Sequence, residues 1–264
     1  MKLDIYDVNT KKVGSVELNI SGVIRDDIFK KVVLSERSWF RQPYGSSPLA
    51  GKKYAISLSK RRRKFRTTYG RGISRIPKKV MWRRGTQLRF VGAFAPGTVG
   101  GRKAHPPKSY KNFIKNINNK EWLLGLKTGL LASLNKDIII KNGQRVPKTY
   151  PIVLDESFNQ ITKTKDFKKV LEDLGFKDEI ERVSKVKIRA GRGKMRNRKY
   201  KTKRGPLIVV DNEENIVKVS RNLKGFDIIP VDLLLVKDFG MDVNPGRTVL
   251  FTKSAIEKIK EELL

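Results

Sequence analysis

The chain has 264 residues, a formal net charge of +33 and no cysteine; the length allows one sizeable domain or two small ones, and the missing thiols exclude disulfides and thiolate metal sites. So large a positive charge repels itself in a compact fold unless a polyanion supplies the counter-charge, which leaves nucleic acid, an anionic membrane surface or an acidic protein as partner classes. No apolar run approaches the ~18 residues of a membrane span, and Met1 to Asp7 carries acids without the apolar stretch of a signal peptide, so a soluble, intracellular protein is expected.

In chain order, Leu3 to Ile20 reads as a peripheral hairpin. Ile24, Ile28, Val32 and Val33 then follow helical spacing, with Asp26 and Asp27 at the end where the helix dipole favours acids. A long stretch without sustained period follows, Gln42 to Lys111, rich in Gly, Pro and Ser. Trp122, Leu123, Leu126, Leu130, Leu131 and Leu134 mark a second helix, and Asn142-Gly143, between Ile138 and Val146, predicts a hairpin turn. Phe167, Val170, Leu171 and Leu174 form a third helical face stopped by Gly175. Ser254 and Glu257 match a capping box that opens a last helix, with Ile256, Ile259 and Leu263 facing inward. Short apolar runs at Ile152 to Leu154, Leu207 to Val210, Ile228 to Val231 and Val249 to Phe251 suit strands buried on both faces. The fold class predicted is α/β: a three-layer domain with a mainly parallel sheet flanked by helices, plus a long basic extended loop. The domain is discontinuous, residues 1–41 and 112–264, with the extended loop at 42–111 and a second basic loop at 185–205.

Charge is sorted along the chain. Arg37 to Lys120 holds 23 Lys and Arg and no acid, and Arg182 to Val210 holds 12 and no acid. Everything else carries 24 basic and 26 acidic groups, so the remainder is near neutral. A merely soluble basic protein interleaves both signs; sorting this complete argues for a shaped polyanion partner.

The first basic segment has the chemistry of an RNA ligand. Lys52 and Lys53, then Lys60, Arg61, Arg62, Arg63 and Lys64, can neutralise successive phosphates and release counterions. Phe65, Tyr69 and Trp82, like Tyr54 and Phe90, are interleaved with Arg66, Arg71, Arg75, Lys78, Lys79, Arg83, Arg84 and Arg89, and can stack on unpaired bases. Arg102, Lys103, His105 and Lys108 close the set. Gly70, Gly72, Gly97, Gly100 and Gly101 allow close backbone approach to a ligand, and Pro77, Pro96, Pro106 and Pro107 lower the entropy lost on ordering. A disordered basic tail lacks such aromatics, and a nuclear import signal would use only the pentapeptide. The second segment contributes Arg189, Arg192, Lys194, Arg196, Arg198, Lys199, Lys201, Lys203 and Arg204 as RNA-binding candidates, in a loop expected at the sheet's edge; the bland reading is an ordinary exposed loop.

Catalysis finds little support. No P-loop and no strand-following G-x-G-x-x-G is present. His105, the single histidine, has no carboxylate nearby in sequence, and Asp26-Asp27 reads as a helix-end cap. No catalytic residue, cofactor or metal is expected. An architectural nucleic-acid-binding protein and an RNA-modifying enzyme remain as alternatives. The first predicts elements fitted to duplex grooves, and the second an acid/base set or cofactor loop.

Gly100-Gly101-Arg102-Lys103-Ala104-His105-Pro106-Pro107-Lys108 resembles a signature of the universal large-subunit ribosomal protein four family, in its archaeal and eukaryotic branch. Arg75-Ile76-Pro77, Gly191-Arg192-Gly193-Lys194-Met195-Arg196-Asn197-Arg198, Gly205-Pro206-Leu207, Arg221-Asn222-Leu223-Lys224-Gly225-Phe226-Asp227 and Leu250-Phe251-Thr252-Lys253-Ser254-Ala255 extend the resemblance over nearly the whole chain. The lack of a long carboxy-terminal extension is similar to archaeal members. The resemblance implies a structural constituent of the large subunit that binds its rRNA, supports assembly and lines part of the nascent-peptide exit tunnel with its long loop. It implies large-subunit rRNA and neighbouring large-subunit proteins as partners, with no membrane and no small-molecule substrate. On this chain the implied tip lies in Gly70 to Arg89, with Arg71, Arg75, Lys78, Arg83 and Arg84 as tunnel-tip residues. Lys78 to Val99 departs from the Gly/Arg-rich run expected there, since it carries Val80, Met81, Trp82, Leu88, Phe90, Val91 and Phe94.

Overall fold

The computed structural model describes residues 2–65, 67–211 and 214–263, without the side chains of 214, 262 and 263. The chain divides into two compact units: residues through Phe40 together with those from Ile114 onward, and Arg41–Phe113.

In chain order the elements are β1 (Lys2–Tyr6), β2 (Lys12–Glu17), α1 (Asp26–Trp39), β3 (Lys78–Arg84), β4 (Gln87–Gly92), α2 (Asn119–Leu134), α3 (Lys136–Lys141), β5 (Ile152–Leu154), α4 (Thr164–Leu171), α5 (Lys177–Ser184), β6 (Lys187–Ile188), β7 (Tyr200–Lys201), β8 (Leu207–Val210), α6 (Glu214–Ser220), β9 (Asp227–Pro230), β10 (Val249–Thr252) and α7 (Lys253–Leu263). The first unit is built on one sheet, ordered β2-β1-β5-β10-β8-β9. β2 runs antiparallel to β1, as the expected hairpin, and every other pairing is parallel.

Three strands, β5, β8 and β10, are buried along their whole length because helices cover both faces. The strand period of two then sends neighbours to opposite sides. Val153, Leu207, Val209, Val249 and Phe251 pack with Phe29 and Val32 of α1, Leu126 and Leu130 of α2, and Ile256 and Ile259 of α7. Ile152, Leu154, Ile208, Val210 and Leu250 pack with Ile139 of α3, Phe167 and Leu171 of α4, and Ile216 of α6. The predicted three-layer α/β fold is therefore the observed one. Among the described residues no helix is long and apolar enough to cross a membrane.

Several local expectations need correction. Asn142-Gly143 makes no hairpin: it ends α3, with the amides of Asn142 and Gly143 donating back to the carbonyls of Ile138 and Ile140. Gly143 has φ +82°, and a positive-φ glycine terminates a helix as readily as it turns a hairpin. Gly175, φ +93°, breaks the helical path in the wide turn Glu172–Phe176 that follows α4, but α5 begins two residues later. The last helix starts at Lys253, and Thr252 Oγ1 accepts from the Ala255 amide at 3.4 Å in place of the expected Ser254 cap. Ile256 and Ile259 face inward as expected; the Leu263 side chain lies outside the described residues. The second basic loop leads into β8, one strand in from the edge strand β9.

Candidate nucleic-acid interface

The Arg41–Phe113 unit, read above as lacking regular structure, contains an antiparallel hairpin. Lys78 pairs with Gly92, Val80 with Phe90, Trp82 with Arg89 and Arg84 with Gln87, with a β-bulge between Val80 and Trp82. Ser57 bridges to Lys78 through reciprocal backbone bonds of 2.8 and 3.2 Å. The basic pentapeptide forms a loop closed by two threonines. Thr67 Oγ1 donates to the Arg61 carbonyl at 2.5 Å, and Thr68 donates from N and Oγ1 to the Ser59 carbonyl. Both threonines are buried, while Lys60, Arg61, Arg62, Arg63, Lys64 and Phe65 are exposed. The neutral hydroxyls thus carry the local structure and the cations face solvent.

The signature motif closes against the start of the same unit. Pro107 accepts from the Ser46 amide at 3.2 Å, and a hollow of about 720 Å³ is lined by Tyr44, Lys103, His105, Pro106, Pro107, Lys108, Tyr110, Lys111 and Phe113. Tyr44 and Phe113 stack with centroids 6.0 Å apart, and the Arg41 guanidinium lies 4.5 Å from the Phe113 ring. Arg41, Tyr44, Lys111 and Phe113 were missed as site residues. They sit at the two ends of the segment, where an aromatic within three residues of a cation was the available signal. Gly101 is required by the protein itself rather than by a ligand: a Cβ there would lie 2.0 Å from the Ala95 carbonyl oxygen. Gly70, Gly72 and Gly97 have open space around them.

The structure distributes the candidate cations unevenly. Lys52, Lys53, Arg71, Arg75, Arg83, Arg84, Arg89, Lys103, His105 and Lys108 are exposed, and Lys79 and Arg102 are half-buried. Arg75 covers the Tyr69 ring at 4.4 Å and Lys79 covers Tyr54 at 4.1 Å, so these rings meet cations of their own chain. Lys78 departs from the expected tip role: it is buried, and its ammonium donates to the Ser74 carbonyl. Arg66 lies outside the described residues.

In the first unit, β6 and β7 form a short antiparallel hairpin, Lys187 opposite Lys201 and Ile188 opposite Tyr200. Arg189 prolongs the ladder through its amide to the Lys199 carbonyl at 2.8 Å. Arg192, Lys194, Arg196, Arg198, Lys199 and Lys201 are exposed around the turn; Lys203 is half-buried. The base of this loop is fixed by charge. Arg182 bonds the buried Glu179 carboxylate at 2.6 and 2.7 Å and also donates to the Arg204 carbonyl at 2.7 Å, joining both ends. Arg204 departs from the expected phosphate role, because its guanidinium bonds Asp227 at 3.0 Å, Asp238 at 3.2 Å and the Gly240 carbonyl at 3.0 Å. Asp227 also meets the fully buried Arg247 at 2.8 Å. Burial works to raise the Asp227 carboxyl, but Arg247 and Arg204 outweigh it and hold the carboxyl below 3.8. Burial, then the like charge of Arg204, pulls Arg247 down to about 10 against the attraction of Asp227.

A sequence profile described as the ribosomal protein L4/L1 family matches residues 17–262. A protein of Nanoarchaeum equitans (strain Kin4-M) named large ribosomal subunit protein uL4 is 40% identical, the alignment covering all of this chain and 99% of that one. Proteins of the same name from Methanococcus vannielii and Sulfolobus acidocaldarius are 36% and 34% identical, covering 99% and 98% of this chain and 99% and 94% of their own lengths. Together with a near-neutral α/β body and acid-free cationic segments, this similarity defines a ribosomal protein. The chain belongs to the ribosomal protein L4/L1 family, and within it to the uL4 proteins of the large subunit.

Proposed function

We propose that this protein is a structural constituent of the cytoplasmic large ribosomal subunit that binds large-subunit rRNA through Arg41–Phe113 and the β6–β7 hairpin. The observation that carries this reading is charge sorting at the level of structure. The second unit contains no Asp or Glu and still holds a compact arrangement in which nearly every described cation is exposed. Phosphates supply the absent counter-charge, and each one engaged releases counterions. Engaging rRNA through cationic residues of both units supports subunit assembly. The name and full-length similarity of the archaeal relatives favour this setting over an architectural protein outside the ribosome.

The same reading makes the second unit the part that lines the nascent-peptide exit tunnel, with Arg71, Arg75, Arg83 and Arg84 as the exposed members of the tip set. The discriminating experiment is retention. Large subunits purified from cells expressing the full chain and washed in high salt are expected to keep it, while a chain with Arg61, Arg62, Arg63, Arg83, Arg84 and Arg89 all changed to Gln is expected to wash off. Absence of the unaltered chain from washed subunits would sink the proposal.

A further inference from the structure

The β3–β4 hairpin has two unlike faces, and the bulge decides which side chains occupy each. Cross-strand partners share a face and neighbours along a strand alternate. Val80 and Phe90 therefore lie on one face with Arg83 and Leu88, while Lys79 and Val91 lie on the other with Trp82, Arg89, Arg84 and Gln87. Without the bulge Trp82, two residues after Val80, would join Val80 and Phe90. The extra residue re-aims it, as bulges do. Val80, Leu88 and Phe90 are half-buried, whereas Trp82 is 50% exposed, Met81 59% exposed, and Arg84 and Arg89 are exposed. A large aromatic has thus been moved from an apolar face to an open one, with Arg89 opposite it and Arg84 two residues on. Leaving such a ring in water loses the benefit of burying it; a partner with a flat apolar surface and negative charge nearby restores it. An unpaired nucleobase with its flanking phosphates has that composition, and the acid-free surroundings favour an anionic occupant.

Resting on the proposed RNA-binding reading, we propose that this hairpin face is a base-stacking site: Trp82 stacks on one unpaired base of RNA, and Arg84 and Arg89 engage the phosphates on either side of it. The site selects single-stranded over duplex RNA, because in a duplex each base face is already stacked on its neighbours.

The test uses the full-length chain and its Trp82→Phe, Trp82→Ala and Arg84→Gln/Arg89→Gln variants. Circular dichroism checks the fold of each. The probes are a ten-nucleotide oligoadenylate, a duplex RNA of the same length and a poly-glutamate peptide. The parent chain is expected to lose tryptophan fluorescence on adding oligoadenylate, and the part of that loss missing from Trp82→Phe belongs to Trp82. Trp82→Ala is expected to bind oligoadenylate roughly 5- to 150-fold more weakly, the range for loss of one stacked base. It is expected to bind duplex unchanged, and Trp82→Phe should hold most of the oligoadenylate affinity. The arginine pair change is expected to weaken both RNAs. Oligoadenylate affinity unaffected by Trp82→Ala, or equal quenching of Trp82 by poly-glutamate, overturns the stacking site while leaving RNA binding intact. A parent chain that binds neither RNA overturns the underlying reading instead.

Discussion

Glu36 is fully buried yet satisfies three donors. Its carboxylate accepts from Trp122 Nε1 at 2.9 Å and from the amides of Val236 and Lys237 at 3.0 and 2.8 Å. One side chain thereby joins α1, α2 and the 3-10 turn at Val236–Phe239. Each buried donor left unpaired costs about 1–3 kcal/mol, so Glu36→Ala is expected to lose about 3 kcal/mol or more of stability. At about 2–4 °C per kcal/mol for a chain of this size, thermal melts should show it directly, with Glu36→Gln the milder change. Asp227 gives a prediction with a pH signature. Its folded-state carboxyl lies below 3.8, so its ionised form stabilises the fold above that pH, and the contribution disappears as pH falls through the lower folded value. Asp227→Asn is therefore expected to be less stable than the parent at neutral pH and to converge with it in strong acid. A stability gap that persists to the acid end of a urea-unfolding series would contradict the assigned charge pairing.

At the scale of elements, the place where the chain leaves the first unit and returns is pinned. Ser35 Oγ donates to the Lys115 carbonyl at 2.5 Å, and the Lys115 amide donates to Ser38 Oγ at 2.9 Å. Residues 38 and 115 are in hydrogen-bond contact, so a few residues suffice to close the gap. Replacing 41–113 with a short Gly/Ser linker is expected to leave the α/β body folded, with far-UV dichroism and a cooperative melt as the check. A collapse of that body on replacement would mean that the second unit belongs to its core.

The same scale shows which elements were legible in sequence. IVL, LIVV and VLF are continuous apolar strings, and covering on both faces is the cause of that pattern, so β5, β8 and β10 were readable. The β3–β4 hairpin was not. Its bulge breaks the two-residue alternation at Met81, and its exposed face carries no apolar repeat. α5 escaped notice because its apolar signal is short: Glu179 takes a buried position through Arg182 and the Arg145 amide, where a pattern reader expects an aliphatic residue. In the site, composition located the cationic segments, but it could not tell Lys78 and Arg204, which bond within the protein, from their exposed neighbours. That difference depends on carbonyls and carboxylates brought close only by folding.

The whole molecule carries +33 with its cations largely on the surface. Salt screens this self-repulsion and also competes with bound phosphates. Raising ionic strength is therefore expected to move two properties in opposite directions, increasing the melting temperature of the free protein while sharply lowering its affinity for large-subunit rRNA. An affinity flat in salt would remove phosphate contact as the basis of binding.

The sheet order has a consequence for how the molecule is made. β10 lies between β5 and β8, so the strand that completes the middle of the sheet leaves the translating ribosome after the other strands of that sheet. Until then β5 and β8 present unsatisfied edges toward each other, and a prematurely terminated chain has no means of closing them. The cationic residues 41–113 have by that stage long been synthesised. A nascent copy can therefore offer its cationic part before its body has settled, and only a copy that has reached β10 can acquire the finished scaffold.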